Sequence, residues 1–182
     1  MVGLIDDLLI LSKVEASQRL RPRDQIDVVA LVKRIHTVLE KKASDQGKSI
    51  DLIIPEPIDR IPGNDDELFQ VLRNLLENGL KYSADGSVVT LAITAESSIA
   101  GIVGSAVAIR VKDHGDGIAP QHIPRLTERF YRVDSHRSRN DGGTGLGLAI
   151  VKHIVLRHRG RLKITSIRGE GSTFAVFLPV SA

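Results

Sequence analysis

The chain has no cysteine and no tryptophan, one methionine, two tyrosines and four phenylalanines in 182 residues. Without cysteine there is no disulfide and no thiolate metal site, which fits a reducing compartment. With aromatics at only 3%, the core must be aliphatic. A base-stacking surface is equally poor, which counts against single-strand nucleic-acid binding, and no nucleic-acid partner is expected. No apolar run approaches membrane-spanning length, and no signal-peptide pattern is present, so a soluble unit is expected. Internal repeats and low-complexity tracts are also absent.

What is present is ordinary globular material, 42% apolar and 26% charged. The length suits one domain with a sizeable core plus a small appendage. The net charge of +3 is unevenly spread, since residues 119–163 hold ten Lys or Arg against three acids. Such a stretch suits an anionic ligand or an acidic partner, or is simply a solvated face.

Residues 3–18 read as a helix. Leu4, Ile5, Leu8, Leu9, Ile10 and Leu11 make its apolar face too broad for a helix lying on a surface, so it wants partners, as in a bundle. Pro22 breaks it. A short strand is expected at 26–28, a helix from Val29 to about Gly47, and a strand at 49–54. His36 borders the apolar face of that helix and reads as structural. Asn64 caps the next helix, about 65–82. Strands at 87–95 and 106–112 form a hairpin, and residues 120–131 hold a short helix and turn. A helix follows over 146–159, then a hairpin from 161–167 and 172–178. Helices and strands are partly segregated. The expected class is therefore α+β, a two-layer sandwich with helices on one face of a mixed, mainly antiparallel sheet.

Four features offer chemistry. Residues 142–147, Gly-Gly-Thr-Gly-Leu-Gly, lie directly before a helix. Glycine admits close approach to bare N–H groups, and a helix N-terminus collects unpaired N–H groups and partial positive charge, which together suit phosphate. The helix 65–82 carries Asn74, Asn78 and Lys81 at i, i+4 and i+7, beside its core face. Paired asparagines are unfavourable in a helix, which suggests a use. Asp113-His-Gly-Asp-Gly-Ile118 ends a strand in a glycine turn. Residues 132–143 are polar and glycine-ended, like a lid. Singly, these also read as surface filler, a tight turn and a plain connection.

In this order they resemble the sensor histidine kinases. Asn74-Leu-Leu-Glu-Asn78-Gly-Leu-Lys81-Tyr82 is similar to the N box of that family and Asp113–Ile118 to its G1 box. Glu128-Arg-Phe-Tyr-Arg132 is similar to the F box, and Gly143-Thr-Gly-Leu-Gly147 to the G2 box. Gly169-Glu-Gly-Ser-Thr173 is like the closing motif. Leu4–Leu9 and Ser12–Glu15 resemble the end of the second dimerisation helix. The run His122–Asp134 is most like the phosphate-regulon branch.

The resemblance implies a Bergerat ATP-binding fold over 20–182, with a lid at about 131–143, preceded by a dimerisation helix over 1–19. Asp113 would accept from the adenine amino group, and Ile118 would pack on the base. Gly115 and Gly117 would shape that turn. Asn78 would ligate Mg²⁺, with Asn74, Lys81 and Tyr82 around the phosphates and metal. Gly143, Thr144, Gly145, Leu146 and Gly147 would offer amides to phosphate, with Thr173 nearby. Arg132, with Arg137 or Arg139, would meet charge developing at the γ-phosphate. The implied partners are ATP, the phosphoacceptor domain of the same protein, a response regulator and a second copy in a homodimer. The implied setting is the cytoplasmic part of a membrane-anchored bacterial sensor.

Two features depart from the pattern. Thr127 stands where an aromatic residue usually precedes Phe130. No phosphoacceptor box, His followed by Glu or Asp with Arg and Pro shortly after, is found, so the first dimerisation helix is expected to lie outside these residues. Two other readings compete. A gyrase-like, chaperone-like or mismatch-repair-like ATPase needs a general-base carboxylate near Asn78; Asn74 stands in that place here, although Glu77 is nearby. A non-catalytic module would use nucleotide only structurally, with residues 4–11 as its partner surface.

Overall fold

The computed structural model describes residues 2–17, 20–55, 57–133 and 143–181. Its helices are α1 (Val2–Ala16), α2 (Val28–Asp45), α3 (Asp65–Tyr82) and α4 (Gly147–Arg157). The strands are β1 (Asp24–Ile26), β2 (Ser49–Ile53), β3 (Ile61–Gly63), β4 (Val88–Glu96), β5 (Ala106–Lys112), β6 (Arg161–Ile167) and β7 (Gly171–Pro179). Five strands form one sheet in the order β2-β4-β5-β7-β6. Only β2 and β4 run parallel; the other pairs are antiparallel. The expected mixed, mainly antiparallel sheet is therefore present.

Helices α2, α3 and α4 supply the layer on one face. The core joins Leu31, Ile35, Leu72, Leu75, Leu76 and Ile150 to Val89, Leu91, Ile109 and Val176 from the sheet. This core is aliphatic, as the composition requires. Helix α3 begins where the sequence says it should. The side chain of Asn64 accepts the Glu67 N–H at 3.0 Å, and three acidic residues occupy the first turn, where the helix dipole favours them.

Several expectations shift. Strand β1 ends two residues before its expected end because Asp27 caps α2, accepting the Ala30 N–H at 2.9 Å. Its side chain prefers the cap to a strand position. Strand β3 pairs antiparallel with β1 and was not expected; it is three residues long with Pro62 at its centre, and proline argues against a strand in sequence. The connection 97–104 returns over the second face of the sheet, where Ile99 and Ile102 pack on Ala108, Ala175 and Phe177. His36 is structural, as read, with Nε2 3.1 Å from the Ile50 carbonyl.

Helix α1 lies against α4. Leu11 and Val14 are buried there, whereas Leu4, Ile5, Leu8 and Leu9 stay exposed. The broad apolar face is thus only partly used. Polar ties reinforce the docking. Glu15 pairs with Arg129 and lies 3.3 Å from His153 Nε2. Arg157 Nε donates to the carbonyls of Ser17 and Leu20 at 3.1 and 3.0 Å.

Candidate functional site

Helix α3 buries Leu68, Val71, Leu72, Leu75, Leu76, Gly79 and Leu80, so Asn74, Asn78 and Lys81 line the border of that core stripe. Asn74 and Asn78 are half-buried. Asn74 Nδ2 donates to the Gly147 carbonyl at 3.1 Å, and its Oδ1 accepts from Gln70 at 3.1 Å. The N-box stripe is therefore tied directly to the first residue of α4. At the end of α3, Ser83 pairs with Gly115, and Lys81 Nζ sits 5.3 Å from the centre of the exposed Tyr82 ring.

Asp113 is 4% exposed at the end of β5. Its Oδ1 accepts two backbone N–H groups, from Gly115 at 3.0 Å and Ser172 at 3.2 Å. Burial pushes its pKa up, and those two hydrogen bonds pull it partly back. Gly117 has φ +66°, and a Cβ there would lie 2.1 Å from the Ile167 carbonyl oxygen. Only glycine fits that conformation so close to another backbone. Ile118 packs half-buried against the core, and its N–H donates to Ser166 Oγ at 2.7 Å.

The glycine loop approaches from the other side. Thr144 Oγ1 accepts the Leu146 N–H at 3.2 Å and donates to Asp7 of α1 at 2.6 Å. The Leu146 side chain is fully buried in the core, so only its backbone faces the loop. Gly145 has φ +73°, and a Cβ there would lie 2.9 Å from Phe130 Cα. Its carbonyl accepts the Phe130 N–H at 2.9 Å. Phe130 itself has φ +62°, a costly conformation for a non-glycine residue. Arg132 Nη1 donates to the Gly143 carbonyl at 2.6 Å, and a Cβ on Gly143 would be 3.1 Å from Lys81 Nζ. Lys81, Arg132 and Gly143 thus converge. Most of the expected lid, including Arg137 and Arg139, lies outside the described residues.

Three supports were not foreseen. Ser166 braces the G1 turn through Ile118 and reaches Ser172 Oγ at 2.9 Å. Its hydroxyl also donates to the Gly171 carbonyl at 3.0 Å, and Thr173 follows on β7. Tyr131 is held by His122 Nδ1 at 2.6 Å and lies 4.2 Å beneath the Arg125 guanidinium. His158 is fully buried under α3: it accepts the Asn64 N–H on Nε2 at 3.0 Å and donates from Nδ1 to the Ile154 carbonyl at 2.8 Å. Serines in a strand and a histidine at a helix end carry no sequence signal for such tasks. Glu77, the neighbouring carboxylate, is engaged by Lys42 at 2.7 Å and by Arg73 at 3.5 Å.

Residues 63–182 match the model of a family described as histidine kinase-, DNA gyrase B-, and HSP90-like ATPase. The chain is 41% identical over 174 residues to the phosphate regulon sensor protein PhoR of Pseudomonas aeruginosa, covering 96% of this chain and 38% of that one. It is 35% identical over 180 residues to the sensor-like histidine kinase SenX3 of Mycolicibacterium smegmatis, covering 98% and 44%. It therefore spans less than half the length of these curated relatives. Full-length ShkA in complex with AMPPNP superposes with a TM-score of 0.81 at 26% identity, covering 97% of this chain and 35% of that one. The nucleotide-free catalytic domain of histidine kinase ThkA shares the fold, with a TM-score of 0.70 at 19% identity, covering 87% and 96%.

Proposed function

The chain belongs to the histidine kinase-, DNA gyrase B- and HSP90-like ATPase family as an ATP-binding catalytic domain of the sensor-kinase kind, and on that premise we propose that it holds Mg²⁺-ATP and directs the γ-phosphate to a histidine of a dimerisation helix. The observation that carries this reading is Asp113. Its Oδ1 is occupied by two backbone N–H groups, which fixes the carboxylate and leaves Oδ2 to accept the adenine amino group. Guanine presents a carbonyl at that place and leaves a buried acceptor unpaired. Ile118 packs on the base, within the turn shaped by Gly115 and Gly117.

At the phosphate end, Asn74, Lys81, Tyr82, Arg132 and the backbone of Gly143–Gly147 would meet the phosphates, with Thr173 nearby; the Asn74–Gly147 and Arg132–Gly143 hydrogen bonds and the approach of Lys81 to Gly143 support this. Asn78 supplies an amide oxygen for Mg²⁺. No cluster of three His, Cys, Asp or Glu suited to a metal occurs among the described residues, so phosphate oxygens and waters would complete the ligand set. That is the usual manner of magnesium, a hard ion that keeps its waters and bridges phosphates. Bound there, the ion would neutralise phosphate charge. Lys81 and Arg132 then balance the charge that develops at the γ-phosphate, which is most of what phosphoryl transfer asks of a protein.

Residues 1–19 serve as the end of the second dimerisation helix and residues 20–182 as the catalytic domain, with a lid over about 131–143. A homodimer, a response regulator that receives the phosphate, and the cytoplasmic side of a membrane-anchored sensor complete the reading. No described helix is long and apolar enough to cross a membrane. Asn74 stands where a hydrolytic machine needs its general-base carboxylate, and the nearby Glu77 is engaged by Lys42 and Arg73; both favour a kinase.

The test is phosphotransfer in trans. Incubated with radiolabelled ATP and a separately prepared dimerisation-helix protein, the chain is expected to label that protein on histidine and not itself. Label on this chain alone, or steady hydrolysis without transfer, would overturn the reading.

A further inference from the structure

Away from the nucleotide site, a groove of about 900 Å³ runs beside α4 and β6. Arg21, Lys152, Arg159 and Arg161 line it, over an aliphatic floor that includes Leu162 and Ile164. Among the described residues that line it there is no carboxylate and no aromatic ring. This is where part of the basic excess of residues 119–163 collects, and nucleotide binding does not use it.

Two of the three arginines, Arg159 and Arg21, are placed there against a local preference. Arg159 follows the last residue of α4's cap and has φ +58°, the left-handed position at which helices usually end on glycine. Arg21 donates from Nη2 to the Ser181 carbonyl at 3.0 Å, but its Nε is buried without a hydrogen-bond partner. Burial, then the charges of Arg159 and Arg23, lower the pKa of Arg21. Arg161 lies on Gly101, where a Cβ would come within 1.7 Å of its Nη2. Guanidinium forks match carboxylates in paired hydrogen bonds. β6 is also an edge strand of the sheet, alongside which an extended segment can lie.

We propose that this groove docks an acidic segment of a partner protein, with its carboxylates on Arg21, Arg159 and Arg161 and its aliphatic side chains on Leu162 and Ile164. A planar membrane reaches the cationic rim but not the half-buried floor. Single-stranded nucleic acid needs rings for stacking, and the described lining has none.

A fluorescent probe peptide composed of Glu, Leu and Ser tests the proposal by anisotropy, with nuclear magnetic resonance mapping on the 182-residue chain. Binding is expected to shift the amides of residues 155–164 and 101–103. Replacing either the Glu by Gln or the Leu by Ser in the probe is expected to abolish it. Arg159→Gly removes a cation while supplying the residue the backbone prefers, so the variant folds at least as well. Arg159→Gly and Arg21→Gln are each expected to weaken the probe about tenfold and to leave ATP binding unchanged. Equal binding by the variants, or by the leucine-free probe, would overturn the proposal and leave a diffuse basic surface. Capture of phosphatidylglycerol vesicles with the same arginine dependence would overturn it in favour of a membrane contact.

Discussion

His158 is enclosed on every side and yet has both ring nitrogens occupied. One nitrogen accepts and the other donates, so the neutral tautomer is fixed. Burial pushes its pKa down to about 4. A folded pKa below the unfolded one means that the unfolded chain binds more protons as pH falls. Stability is therefore full above the unfolded pKa of about 6.5 and declines as pH drops towards 4. The loss is on the order of 3 kcal/mol at the acid end, readable as falling urea midpoints across that window. His158→Phe is expected to flatten this dependence while lowering stability at neutral pH, because the Asn64 N–H loses its acceptor. At Gly145 the left-handed φ coincides with close contact to Phe130. Gly145→Ala is expected to cost about 1–3 kcal/mol and to weaken ATP. Gly86→Ala, at φ +71° with nothing within 4 Å, costs only the backbone penalty and spares ATP. Equal effects at the two glycines would contradict the proposed close packing of the F box on the glycine loop.

Among the elements, α1 carries the clearest internal contrast. Leu11 is buried against α4, whereas Leu9 on the same helix is 65% exposed. Leu11→Ala is expected to cost about 2–5 kcal/mol and to raise amide exchange along α1, as a truncated core leucine does. Leu9→Ala is expected to change stability by less than about 0.5 kcal/mol. Helix α3 was legible almost to the residue. Its cap, its acidic first turn and its apolar period all agree, and agreement across levels marks a reliable element. Strand β3 was not legible, because Pro62 contradicts it locally and its pairing with β1 is a long-range fact. The second small core beneath residues 97–104 was hidden in the same way, since Ile99 and Ile102 show no period in so short a loop.

Across the whole molecule, the candidate site is legible as a set and not in its parts. Asn74, Asn78, Lys81, Asp113 and the glycine loop are far apart in sequence, and each alone has an ordinary reading. Their order points to one candidate site, and the fold ties Asn74 to Gly147, brings Lys81 near Gly143 and joins the end of α3 to the turn after Asp113. The bracing was invisible: Ser166 holding the G1 turn and Asp7 meeting Thr144 follow from packing alone. That last contact joins α1 to the glycine loop and places a carboxylate where phosphates are proposed to lie. Asp7→Asn is therefore expected to tighten ATP severalfold in titration calorimetry, by removing like-charge repulsion; weaker binding would show that Asp7 helps to form the site instead.

The central claim is that Asp113 reads adenine in this cleft. Titration calorimetry of the wild-type chain and Asp113→Asn with ATP and with GTP, in the presence of Mg²⁺, tests it most directly. The wild type is expected to bind ATP at least tenfold more tightly than GTP, and Asp113→Asn to lose at least tenfold for ATP. Equal affinity for the two nucleotides, or undiminished ATP binding by the variant, would contradict the account.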